Sequence, residues 1–142
     1  MTVTLVPGSG AHLSPPWPSL PFGLAEPEVR RRLAGPGPVS DTFVCGAAWA
    51  LGVRLPGLAL TVSAGWSARL EIIAVTRTAA AEAWPVAVFD VDVFGWPAGE
   101  IVEYLSGPDL PPPVVRSGSA RFGDLWLTGH DRFDHAVLYA PV

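Results

Sequence analysis

The sequence predicts an α+β fold: two degenerate β-α-β-β(β) repeats forming one antiparallel sheet, with two short helices on one of its faces. Three observations predict it. Two segments overlay without a gap at an offset of 72 positions, with Phe22 falling on Phe94. Each segment carries two apolar residues four apart, Val29 with Leu33 and Ile101 with Leu105, which is one stripe of a helix. After each come runs in which apolar residues alternate with smaller or polar ones, the period of a strand.

Taken in order, Thr2 to Val6 reads as a leading strand. Pro15-Pro16-Trp17-Pro18 and Pro21 then make an extended linker. The first helix motif runs from Phe22-Gly23 to Leu33-Ala34-Gly35, the second from Phe94-Gly95 to Leu105-Ser106-Gly107. Pro27 and Pro97 lie near the first turn, where a missing N–H costs nothing. Glu28 and Glu100 sit where a carboxylate favours the positive end of the helix dipole. Gly35 and Gly107 are expected as left-handed residues past the last turn. Pro36-Gly37-Pro38 and Pro108 bar continuation.

Strands follow each helix. Ala47, Trp49, Leu51, Val53 and Leu55 alternate, and Leu58 to Val62, a turn near Ala64-Gly65, and Arg69 to Val75 read as a hairpin. Residues 77–84 join the repeats and are expected to hold a brief helical turn. Val86 to Val91 reads as one strand leading into the second helix. Pro111-Pro112-Pro113 blocks helix and central strand alike. Gly123 to Thr128, a polar turn and Ala136 to Ala140 make the second hairpin. The organisation expected is a single domain over 1–142, with repeat 1 at about 1–76, repeat 2 at about 85–142 and the linker at about 77–84.

Composition excludes some functions. All nine basic residues are Arg, and the formal net charge is −4. Nucleic-acid affinity comes from neutralised phosphates, so an acidic chain with scattered Arg predicts no nucleic-acid partner. The same sign argument disfavours an anionic membrane surface. Residues 43–64 are nearly uncharged, but Arg54, Pro56 and Gly57 split them, so strands fit better than a membrane helix. The first residues lack a basic stretch and a long apolar run, so no signal peptide is expected and the cytoplasm is the expected location. Hydrophobic residues make up 49% of the chain. That predicts a generous core or a greasy surface covered by a partner. Cys45 is the sole cysteine and lies in the apolar run Phe43 to Ala47, so it is expected as a small buried residue.

Candidate chemistry is sparse. His130, Asp131, Asp134 and His135 are ligand types at close spacing, and His130, Asp134 and His135 are the metal candidates. Their place on a hairpin turn also explains them, because turns are polar and solvated. Asp90 and Asp92 are two apart in an expected strand and share a face, as an acid–base pair or as its wet side. Arg30-Arg31-Arg32 on the first helix reads as a solvated face or as a docking spot for an acidic partner. No phosphate loop, dinucleotide motif or serine-nucleophile motif occurs, and no cofactor is expected.

The leading expectation is a non-enzymatic protein-binding module, self-associating as a homodimer or acting as an inhibitor or immunity-type protein. Its binding candidates are Arg30, Arg31, Trp49, Trp66 and Trp126, because Trp and Arg dominate binding hot spots. The alternative is a small enzyme or ligand-binding protein with a site between the repeats, using Asp90 and Asp92 or His130, Asp134 and His135.

The string Phe-Gly, then Glu, Val or Ile, Leu and Gly at fixed spacing, followed by strands, resembles the helix motif of BamE-like and beta-lactamase-inhibitor-protein-like modules. That resemblance implies binding of other proteins. The tandem layout is similar to the pseudo-twofold clamp of TATA-binding proteins, whose DNA-binding use the acidic charge argues against. Leu5-Val6-Pro7-Gly8-Ser9-Gly10 resembles the opening of a set of uncharacterised bacterial proteins. The resemblance covers about half the chain and carries no site residue.

Overall fold

The computed structural model describes residues 1–79 and 81–142. In chain order its elements are β1 (Val3–Val6), β2 (Gly10–Leu13), β3 (Leu20–Pro21), α1 (Glu26–Leu33), β4 (Val39–Asp41), β5 (Trp49–Leu55), β6 (Leu58–Ala64) and β7 (Leu70–Arg77). There follow β8 (Val86–Val88), β9 (Val91–Asp92), α2 (Ala98–Leu105), β10 (Val114–Arg116), β11 (Ser119–Phe122), β12 (Leu125–Gly129) and β13 (Phe133–Tyr139). Among the described residues the architecture is mixed α+β, with mostly antiparallel pairing and two short helices.

Both helices form where the apolar spacing predicts. Pro27 lies in the first turn of α1 beside Glu26 and Glu28, with Arg30, Arg31 and Arg32 in the last turn. Both charge sets suit the helix dipole. Val29 and Leu33 are fully buried. Pro97 caps α2, Glu100 sits in its first turn, and Ile101 and Leu105 are buried. Each such leucine stabilises the fold by roughly 2 kcal/mol through apolar burial.

Eight strands form the larger sheet, in the order β10-β11-β12-β13-β7-β6-β5-β4. Alternation sends Leu51, Val53, Leu60, Val62, Ile73, Val75, Leu125, Leu127, Ala136 and Leu138 to one face, all buried. That face shares one hydrophobic core with the stripes of both helices and with Val3, Leu5, Val86 and Val88.

The layout departs from the single sheet expected. The leading strands form a second sheet, β3-β2-β1-β8-β9, in which β1 and β8 pair in parallel, Val3 opposite Val86 and Leu5 opposite Val88. Those four residues are fully buried, so pairing the two strands satisfies their backbone inside the core. The expected strand from Val86 to Val91 breaks at a tight turn, where Phe89 has φ 56°, and returns as β9.

Neither helix ends on a left-handed glycine. Gly35 and Gly107 lie outside the positive-φ set, and Ala34 at the end of α1 remains helical at φ −63°. Gly35 serves packing instead. A Cβ there would lie 2.7 Å from Trp17 Cδ1. Trp17 in turn stacks on Trp84 with ring centroids 5.3 Å apart, so the proline-rich stretch around it is anchored. The helical turn expected over 77–84 includes Ala80, which lies outside the described residues; Arg77 belongs to β7.

Cys45 is exposed rather than buried. The apolar run around it is a loop between β4 and β5 and leaves Phe43 86% exposed. The sheet resumes only at Trp49, so residues 43–47 lie outside its strands, with Val44 and Ala47 only partly buried. Among the described residues, no helix is long and apolar enough to cross a membrane.

Candidate functional site

One of the cross-strand rows on the outward face of the eight-stranded sheet runs unbroken from β11 to β5. Arg121 pairs with Trp126, Trp126 with Val137, Val137 with Ala74, Ala74 with Thr61, and Thr61 with Gly52. All are open to solvent in part or in full, whereas the residues between them face the core. The row holds a single charge, and that charge is stacked: the Arg121 guanidinium carbon lies 4.7 Å from the Trp126 ring centre. The Tyr139 ring on the neighbouring strand β13 is tilted against Trp126, with ring centres 5.6 Å apart. Trp126 itself is 40% exposed.

The other tryptophans proposed from sequence lie elsewhere. Trp49 is half-buried and donates its indole N–H to the Ala68 carbonyl oxygen at 2.8 Å. Trp66 is fully exposed on the turn between β6 and β7. The basic candidates on α1 are paired within the chain. Arg30 bridges Glu26 at 2.9 Å and Asp41 at 2.7 Å, and Arg31 bridges Glu28 at 2.5 Å. Arg32 reaches Glu28 at 2.8 Å and the Ser19 carbonyl oxygen at 2.7 Å. The hydrogen bonds from Arg31 and then Arg32 hold the Glu28 carboxyl well below its ordinary range, at about 2. A helix face so neutralised has little charge left for an acidic partner.

The structure disperses the metal candidates. Among the described residues, no three His, Cys, Asp or Glu converge on a metal-sized point. His135 Nδ1 lies 2.7 Å from Thr76 Oγ1 on β7, and His130 and Asp134 are exposed. Asp134 and His135 are successive on a strand and so point to opposite sides. The carboxylate pair is likewise corrected. Asp90 sits in the β8–β9 turn and not in a shared strand, and it accepts a hydrogen bond from the Tyr104 hydroxyl. That bond raises the phenol above its ordinary pKa, because ionising it would place two negative charges together. Asp92 Oδ1 accepts from the backbone N–H groups of Phe94 at 3.1 Å and Val86 at 3.3 Å, which fixes the approach to α2.

A groove of about 620 Å³ opens between that turn and α2. Asp90, Asp92, Glu100 and Glu103 line it together with Trp96 and Tyr104. Sequence reasoning named only the two aspartates. The missed signal is a charge asymmetry: between Arg77 and Arg116 there are six acidic residues and no basic one.

Compared with protein-family models, with curated proteins and with solved structures, the chain matches none of them.

Proposed function

We propose that this protein is a non-enzymatic protein-binding module that docks a partner, a second copy of itself included, on the outward face of its eight-stranded sheet. The observation that carries the reading is the row from Arg121 through Trp126 to Gly52. It is nearly free of charge and carries, near one end, an exposed tryptophan in contact with an arginine and a tyrosine. Tryptophan, tyrosine and arginine together, with small neutral residues continuing the row, are the composition of an interface centre. A standard interface needs about 800 Å² per partner, roughly a tenth of the 7517 Å² this chain exposes.

In this reading the chain is a pair of degenerate copies. The residue before each helix makes an isolated bridge to an arginine, Ala25 with Arg69 and Pro97 with Arg132. Each of those arginines also donates to the glycine carbonyl of the Phe-Gly pair, Gly23 and Gly95 respectively. The resemblance of the helix motif to modules that bind other proteins points the same way. The enzyme alternative has weaker support, because Asp92 is committed to backbone donors and His135 to Thr76.

The test compares the tagged chain with its Trp126→Glu variant, both recovered from the native host, alongside sedimentation velocity for self-association. A protein, or a second copy, held by the parent and lost from the variant supports the proposal. Equal retention by both, or a monomer that retains nothing, overturns it.

A further inference from the structure

We infer that the groove beside α2 receives an arginine side chain from a protein partner. This groove is built from the β8–β9 turn and α2 rather than from the outward sheet face, and its occupancy is tested separately. The groove is lined by the apolar Val91 and Ile101, the rings of Trp96 and Tyr104, and the carboxylates of Asp90, Asp92, Glu100 and Glu103. Trp96 is 54% exposed and Tyr104 53% exposed, which leaves the rings free to be covered.

Charge complementarity selects the occupant. A cation that fills the groove meets four carboxylates and two aromatic rings, and both favour it. The carboxylates do not converge on a point, so a compact metal ion cannot bind three of them at once. A planar guanidinium suits them better, since it can stack on a ring and fork toward separated carboxylates together.

The first helix shows the same chemistry satisfied from within. Glu28 is the counterpart of Glu100 at the offset of 72 that aligns the two helix motifs. Two guanidiniums hold Glu28, those of Arg31 and Arg32. At the corresponding positions α2 has Glu103 and Tyr104. The carboxylate is kept while the internal arginines are replaced by a second acid and a ring. Elsewhere the chain stacks arginine on aromatic rings, Arg121 on Trp126 and Arg77 on Phe94. Arg132, the arginine tied nearest to Trp96 in sequence, is bound to the Gly95 carbonyl oxygen. No arginine lines the groove among the described residues.

The test titrates the full chain, at low salt, with a capped pentapeptide of two arginines spaced by glycines. Backbone NMR shifts and tryptophan fluorescence report binding. The expected result is a saturable response confined to residues 90–104. The Glu100→Gln, Glu103→Gln double variant should bind about fivefold more weakly, and Trp96→Ala should bind at least as poorly. The same peptide with lysine in place of arginine should bind less tightly. Trp126→Glu, on the sheet's outward face, should leave the titration unchanged. An absent or non-saturating response overturns the inference. So does affinity untouched by the double variant, or equal binding of the lysine peptide.

Discussion

The Arg69 guanidinium donates to the Gly23 carbonyl oxygen at 3.0 Å, tying the strand that begins at Leu70 to the turn that begins α1. Arg132 makes the same bond to Gly95 ahead of α2. Both arginines are exposed, so each bond has the modest worth of a solvated one. Arg69→Ala and Arg132→Ala should each destabilise the fold by about 1 kcal/mol. Thermal unfolding of the two variants checks this. Closely similar losses would also support the paired-copy reading, and a large loss from one alone would count against it.

Gly35→Ala should cost about 1–3 kcal/mol, because the new methyl overlaps the Trp17 ring and has to displace it. The tryptophan stack with Trp84 should loosen with it. Near-ultraviolet circular dichroism reads the stack, and urea unfolding reads the cost. An unchanged spectrum would show that the ring has room to yield.

Glu28 makes the stability of α1 depend on pH. Its folded pKa is depressed to about 2 from the ordinary 4.5, chiefly by hydrogen bonds from Arg31 and Arg32. A depressed carboxylate stabilises the folded state above its unfolded pKa. That contribution fades as pH falls through the folded value. The stability difference between the parent chain and Glu28→Gln should therefore be full above about pH 5 and vanish near pH 2. Urea titrations at several pH values measure it. A difference that persists at pH 2 would remove the arginine clamp as its cause.

Cys45 lies exposed on the loop between β4 and β5, so the folded chain should react with a thiol reagent without first unfolding. The rate should match that of the urea-unfolded chain within about threefold. Reaction that needs denaturant would place the thiol under cover.

The two helices were legible because Val29 with Leu33 and Ile101 with Leu105 carry their own period. Most sheet strands were legible for the same reason, as in Leu51, Val53 and Leu55. The second sheet was not. Pairing of Val3 with Val86 joins strands far apart in the chain, and nothing local in either strand names its partner. The loop around Cys45 misled because an apolar run reads alike whether or not a layer exists to cover it. The groove was half legible: Asp90 and Asp92 stood out, but Tyr104 meets Asp90 only because the β8–β9 turn and α2 fold side by side. Trp126 was named by residue type, and its outward direction follows from alternation with the buried Leu125 and Leu127.

The strand made latest in the eight-stranded sheet, β13, lies in its interior, between β12 and β7. During synthesis β7 must therefore wait with one hydrogen-bonding edge bare until the residues up to Tyr139 have emerged. Closure over so long a stretch is entropically slow, and the waiting edge is a template for the wrong neighbour. Nascent chains stalled before Phe133 should be the ones that clump or recruit chaperones.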